Sequence, residues 1–240
     1  MGRLIAHDRR LAWDAYLNVR DLGGLRCEGG VIRSGVLVRA STLGSLTPVG
    51  SAAIRAHGVR TVIDLRGPDE VTALPNPFGP GLAYRNVRVD GEHTLKLHEH
   101  EMAGTMAQQL ADLARPGSGL RAAFGAIASA DPAVVVHCQA GRDRTGIVVA
   151  LLLAALGVRD DDVVADHCAS DVELADEYDR FRAEHPEVAA DMAERQSRRA
   201  WVIGELLAAI HTQHPHAEDY LKLIGVRSVE IARLRELLVA

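Results

Sequence analysis

The chain has 240 residues, 48% of them hydrophobic and 25% charged, with a net charge of −5 at neutral pH. That length and balance suit one globular domain with a full core, and the lack of any long basic run argues against a nucleic-acid partner. Three cysteines make no disulfide framework, and the longest apolar run, Ile147 to Leu156, is far too short to span a membrane.

In chain order, Met1 to Trp13 carries charges throughout and no apolar segment of the signal-peptide kind; the protein is expected in the cytoplasm. Residues 18–41 read as short strands with glycine turns. Thr47-Pro48 opens a helix with a cap and a first-position proline, and Gly58 ends it. Val59 to Leu65 is a strand rich in β-branched residues, Pro75 to Pro80 a loop, and Leu82 to Val89 a second strand. Glu92 to Thr105 is polar and histidine-bearing, a loop entering a helix. Leu120 to Ser129 is helical, Ala133 to Val136 is the central strand, and Ile147 to Leu156 is a buried helix closed by Gly157. From Asp160 onward the pattern is helical, broken near Pro186 and Pro215. Strands alternating with helices, then a helical C-terminal portion, predict an α/β fold with a central, mostly parallel sheet flanked by helices, in one domain over 1–240. In such sheets ligands bind at the carboxyl ends of strands.

One such end carries the run His137-Cys138-Gln139-Ala140-Gly141-Arg142-Asp143-Arg144-Thr145-Gly146. A strand, a tight loop and a helix start make an anion site, because the helix N-terminus offers unsatisfied N–H donors and partial positive charge. Successive loop amides can form a nest around an oxyanion. The same field favours a thiolate, the nucleophilic form of cysteine. A buried apolar cysteine would leave Gly141, Arg142, Asp143 and Arg144 unexplained. The spacing alone is weak: Cys27 also has an arginine, Arg33, six residues on. There Glu28 adjoins the thiol and no helix follows, so Cys27 reads as structural. Cys168 has Leu174 at the matching place.

His137 through Thr145 resembles the signature His-Cys-x5-Arg-Ser/Thr of the cysteine-dependent protein tyrosine phosphatase superfamily. The form Ala-Gly-x-Asp-Arg-Thr-Gly is similar to a bacterial subgroup related to secreted mycobacterial and listerial tyrosine and phosphoinositide phosphatases. The likeness extends to Asn18 through Gly24, to Val38-Arg39-Ala40-Ser41, to Val62 through Arg66 with Glu70, and to Tyr220-Leu221 and Ile231 through Arg235. One departure stands out: the subgroup usually carries lysine where this chain has Arg142, a planar fork in place of a point charge.

The resemblance implies a phosphate monoesterase acting first on protein phosphotyrosine, with dual specificity as an extension, through a cysteinyl-phosphate. Cys138 is the expected nucleophile and Arg144 the bidentate grip on equatorial oxygens. The amides from Gln139 to Arg144, through Ala140, Gly141, Arg142 and Asp143, are expected to bind the phosphate. Thr145 would donate to the sulfur as it leaves, and His137 would brace the loop and lower the thiol pKa. Two aspartates compete as the acid for the leaving group: Asp90, which follows a strand to the same sheet edge, and Asp143 in the loop. Asp90 is favoured, with Asp143 as acid, base or water-positioner; a turn before Gly91 is the competing reading of Asp90. Asp64 and Arg66 are expected to form a structural pair.

Relatives place a helical lid within residues 161–198, where an ordinary covering helix pair reads equally well. Some are exported without a standard signal. The mechanism needs no metal and no cofactor: His93, His98 and His100 with Glu99 and Glu101 are irregularly spaced, and His211, His214 and His216 read as a helix end. The expected partner is a phosphorylated protein, or a phosphorylated lipid or metabolite if Arg142, Arg85 and Arg88 meet extra phosphates. The alternative is a phosphoinositide or small-metabolite phosphatase of the same mechanism. A binder without activity should lack the cysteine or the arginine, and a sulfurtransferase has no need of the Arg144-Thr145-Gly146 helix start.

Overall fold

Glycine turns divide the N-terminal part of the chain into four short strands: β1 (Arg20–Asp21), β2 (Arg26–Cys27), β3 (Gly30–Val31) and β4 (Leu37–Ala40). The computed structural model describes residues 9–14, 17–45, 47–76, 78, 81–89, 119–188 and 202–240. Helix α1 (Pro48–Ala56) starts where Thr47 accepts the Gly50 N–H at 3.0 Å and Pro48 supplies a pre-set φ. Gly58, at φ 84°, turns the chain out of it. Then follow β5 (Thr61–Asp64), α2 (Pro68–Ala73), β6 (Ala83–Asn86), α3 (Gly119–Ala128), β7 (Val134–His137), α4 (Asp143–Ala155), α5 (Asp160–Glu173) and α6 (Ala175–Glu184). Helices α7 (202–213), α8 (Ala217–Leu223) and α9 (Ser228–Leu238) complete the described chain.

Five strands form one sheet in the order β1-β4-β7-β5-β6, with β2 and β3 apart as a hairpin. Only β1 runs antiparallel to its neighbour; β4, β7, β5 and β6 are parallel. The register sets Ala40, His137 and Asp64 at one level. The chain therefore leaves three adjacent strands at the same edge, through Ser41, Cys138 and Leu65.

Side chains alternate across this sheet as strand geometry requires. Leu37, Ile63, Val134 and Val136 enter the larger core with Phe124, Ile127, Leu151, Ile203 and Leu207. Val38, Val62 and Val135 enter the smaller one with Trp13, Leu43 and Ile54. Helix α4 is buried along nearly its whole length, which is why its sequence shows no polar stripe. Each fully buried Val, Leu or Ile of this kind stabilises by about 1.5–3 kcal/mol, so the position of the α4 N-terminus at the sheet edge is strongly fixed.

The expected α/β architecture is thus observed, with three local differences. Helix α2 is additional: six residues carry too little apolar periodicity to announce a helix. Strand β6 is four residues long and mostly exposed, an edge strand shorter than the run Leu82–Val89. The helical stretch after Asp160 also breaks at Leu174 and at Gly225, the latter at φ 92°. Among the described residues no helix is long and apolar enough to cross a membrane.

Candidate active site

Strand β7 ends at His137 and α4 begins at Asp143, so Cys138 to Arg142 turn at the carboxyl edge of the sheet. Three consecutive carbonyls of this turn are anchored from outside. The Thr42 N–H donates to Gln139 O at 2.8 Å, Asn18 Nδ2 to Ala140 O at 3.0 Å, and Arg39 Nη2 to Gly141 O at 2.7 Å. In a planar trans peptide the following N–H points the opposite way. The amides of Ala140, Gly141 and Arg142 therefore face away from these anchors, as an anion nest requires. Gly141 permits the turn: its φ is 68°, and a Cβ there would lie 2.2 Å from Ala40 O. Arg142 gives α4 no side-chain cap, which leaves first-turn amides for an oxyanion.

Cys138 follows β7 directly and is 3% exposed. Arg144 meets Glu70 fork to fork, Nη1 to Oε2 at 2.6 Å and Nη2 to Oε1 at 2.7 Å. Burial would loosen the Arg144 proton, but Glu70 and the nearby Cys138 charge more than offset it; Arg144 in turn holds the Glu70 carboxyl below its usual range. Glu70 also accepts the Gly67 N–H at 2.9 Å and so caps α2. Two of the five guanidinium donors thus go to Glu70. The buried Thr145 Oγ1 has no hydrogen-bond partner among the described residues.

His137 is fully buried, with Nδ1 bonded to Cys138 O at 3.1 Å and Nε2 at 3.7 Å from Asp64 Oδ2. Burial pushes its pKa down to about 4, against the pull of Asp64. The Nδ1 contact with the Cys138 carbonyl braces the turn between β7 and α4. His167, packed on Gly146, is likewise pushed well below its usual value by burial and then by Arg142 and Arg39. A depressed histidine pKa contributes stability that is complete above the unfolded value of 6.5 and lost as pH falls toward 4. For His137 the loss is on the order of 3 kcal/mol. Urea unfolding between those pH values should show stability declining with acid, and a shallower decline in His137→Gln; an identical slope in the variant would contradict the assignment.

Asp64 and Arg66 pair at 2.8 Å, and Asp64 also accepts from Asn76 and Tyr84 at 2.8 and 2.9 Å. Its carboxyl sits at about 2, because these donors outweigh burial. The Arg142 side chain is held within the protein. It is 1% exposed and turned inward, with Nε and Nη2 on Asp171 at 2.7 and 2.9 Å and Nη1 on Asp143 Oδ1 at 3.0 Å. Arg85 is also engaged, bonded to Ala126 O and Ser129 at the end of α3. The chain can be followed to Val89, whose N–H donates to Leu65 O at 3.2 Å; Asp90, His93, His98, Glu99, His100 and Glu101 lie outside the described residues.

Burial raises the thiol pKa of both Cys27 and Cys168, and Asp171 adds to it at Cys168. His211 pairs with Asp160 at 3.1 Å, and the His214 ring lies tilted at 59° to that of Tyr220, 6.1 Å away.

Sequence reasoning assigned no role to Glu70, Asn18, Arg39, Asp166 or Asp171. Pro68 at a first helical position followed by Asp69 and Glu70 was a usable signal for α2 and its capping glutamate. The remaining contacts join residues far apart in the chain and leave no local mark.

Comparison with known proteins gives four findings. The sequence description "Tyrosine phosphatase family" matches residues 11–240. A tyrosine-protein phosphatase of Nostoc commune is 32% identical over 223 residues, covering 87% of this chain and 76% of that protein. The triple specificity protein phosphatase PtpB of Mycobacterium tuberculosis is 31% identical over 176 residues, 58% of this chain and 62% of that one. Among solved structures, P. aeruginosa TpbA in complex with pTyr aligns at a TM-score of 0.36 and 16% identity, over 75% of this chain and 89% of that chain.

Proposed function

Because this chain belongs to the tyrosine phosphatase family, we propose that it hydrolyses phosphate monoesters, protein phosphotyrosine first among them, through a phosphocysteine on Cys138. The observation that carries this reading is the loop itself. Three pinned carbonyls turn the following amides away from their anchors, and Arg144 stands in the first turn of the adjoining helix with its fork set by Glu70.

In the first step Cys138 Sγ bonds to phosphorus as the ester P–O bond breaks, and the departing oxygen takes a proton from an aspartic acid. Arg144 and the amides of 139–144 stabilise the equatorial oxygens. In the second step water attacks phosphorus and gives a proton to a carboxylate. The S–P bond breaks, inorganic phosphate leaves, and the Thr145 hydroxyl donates to the returning sulfur. Asp90 is our acid, since it follows Val89 beside Leu65; Asp143, first in α4 and fixed by Arg142, positions the water. In pH–rate profiles Asp90→Ala should lose the basic limb while Asp143→Ala keeps it. The reverse result exchanges the roles, and two wild-type profiles sink the assignment.

Phosphotyrosine ranks ahead of phosphoinositides because Arg142 is committed to Asp171 and Asp143 and is not a mobile cation for a second phosphate. The name of the mycobacterial relative favours a broader range, with phosphorylated lipids or metabolites as further substrates. A panel of phosphotyrosine peptide, phosphoserine peptide, phosphoinositides and nucleotides tests the ranking. The highest kcat/KM is expected on the phosphotyrosine peptide; a phosphoinositide in that place would overturn it.

One domain serves this chemistry in our reading, and any lid lies after Leu174. Asp166, Ser170 and Asp171 tie α5 to the sheet and the loop, whereas α6 contributes no buried residue. We place the protein in the cytoplasm, where a reducing environment preserves the Cys138 thiol.

A further inference from the structure

Asp166 lies on α5, outside the catalytic loop, and is 1% exposed. It receives three guanidinium groups: Arg9 Nη2 at 2.8 Å, Arg20 Nε at 3.0 Å and Arg39 Nη1 at 2.7 Å. One turn on, Ser170 Oγ accepts from Arg20 Nη2 at 3.0 Å and Arg39 Nη2 at 3.2 Å. Both arginines then lead to the loop. Arg39 Nη2 donates to Gly141 O at 2.7 Å. Arg20 Nη1 donates to Asn18 Oδ1, and Asn18 Nδ2 donates to Ala140 O at 3.0 Å. Two of the three carbonyl anchors of the nest therefore converge on a single carboxylate.

Such a cluster is an expensive way to dock a helix. Apolar side chains would pack α5 on β1 and β4 at less desolvation cost. Burial and the neighbouring Arg20 push Arg39 down to about 10, and Asp166 stays far below the carboxylate range, despite its burial, because Arg20, Arg39 and Arg9 surround it. What charge adds over hydrocarbon is direction. A guanidinium bonded to a carboxylate on one side has its remaining donors aimed along fixed lines.

We propose that Asp166 is a positioning residue for the phosphate cradle: through Arg39, and through Arg20 and Asn18, it fixes the two peptide planes that aim the Gly141 and Arg142 amides at the phosphoryl oxygens. The proposal rests on the reading of the Cys138 loop as the phosphate site. It makes α5 part of the catalytic apparatus without touching substrate.

Inorganic phosphate, competing with p-nitrophenyl phosphate, reports on the cradle. Asp166→Asn keeps an acceptor and removes the charge. Asn18→Asp keeps a partner for Arg20, and a residue type that tolerates the φ of 54° there, but cannot donate to Ala140 O. Both variants should weaken phosphate inhibition and lower kcat by about tenfold or more, as loss of aligned oxyanion donors does, with kcat falling further than KM rises. Folding is checked by circular dichroism and thermal unfolding. A folded Asp166→Asn enzyme with wild-type kcat and phosphate inhibition overturns the proposal, even if its melting temperature drops, since that is a structural role alone. If Asp166→Asn does not fold, Asn18→Asp decides, and wild-type values there overturn it. Failure of the underlying phosphatase reading looks different: the wild-type protein would itself be inert and indifferent to phosphate.

Discussion

Cys138→Ser will lose turnover of p-nitrophenyl phosphate by a factor on the order of 10⁴ or more, as removal of a covalent nucleophile does elsewhere, while still binding inorganic phosphate. The two outcomes have separate physical origins. A serine hydroxyl is not ionised near neutral pH, and the adjacent His137 spends Nδ1 on the Cys138 carbonyl. Binding depends instead on the amides and on Arg144, which the substitution leaves in place. The carbonyl anchors from Thr42, Asn18 and Arg39 do not involve the sulfur. Steady-state rates and a phosphate titration of the variant supply both readings. Retained turnover would move the nucleophile elsewhere, and lost phosphate binding would mean that the loop is not the cradle.

Arg144→Lys should lower kcat/KM by about 10²–10³-fold although the charge is kept. Glu70 takes one donor from each terminal nitrogen of Arg144, a geometry that a planar fork satisfies while still presenting hydrogens to two phosphate oxygens. A lysine ammonium has three donors on one atom. Bonded to Glu70 it cannot span a phosphoryl group, and freed from Glu70 it leaves that carboxylate facing a phosphate dianion. The loss should fall mainly on kcat, because the equatorial oxygens need the fork most as the P–O bond opens. A variant within about threefold of wild type would show that a point charge suffices and that Glu70 merely caps α2.

The chemistry that was legible in the sequence is chemistry packed into adjacent residues. His137 to Gly146 places the candidate nucleophile, amides, arginine and helix start in one turn, where residue types and the family resemblance mark them together. The parallel sheet was equally visible, because valine-rich runs such as Val134 to Val136 alternate with helix-like segments. What stayed hidden depends on contacts between distant segments. Asp166 meets Arg20 and Arg39 across the fold, and no periodicity marks a buried carboxylate on an otherwise charged helix. Glu70 hid in a helix of six residues. The inward turn of Arg142 follows from Asp171 on α5, one helix beyond the motif. The downward pull on the His137 pKa comes from burial, a quantity that the sequence around it does not contain.

A covalent phosphoryl group on Cys138 is open to detection by acid-quenched turnover. Wild-type protein mixed with excess p-nitrophenyl phosphate, quenched within the first turnover and digested, should yield the peptide containing Cys138 with one added phosphoryl group, absent from Cys138→Ser. Turnover of the substrate with that peptide unmodified, or with the phosphoryl group on another residue, would rule out a phosphocysteine at Cys138.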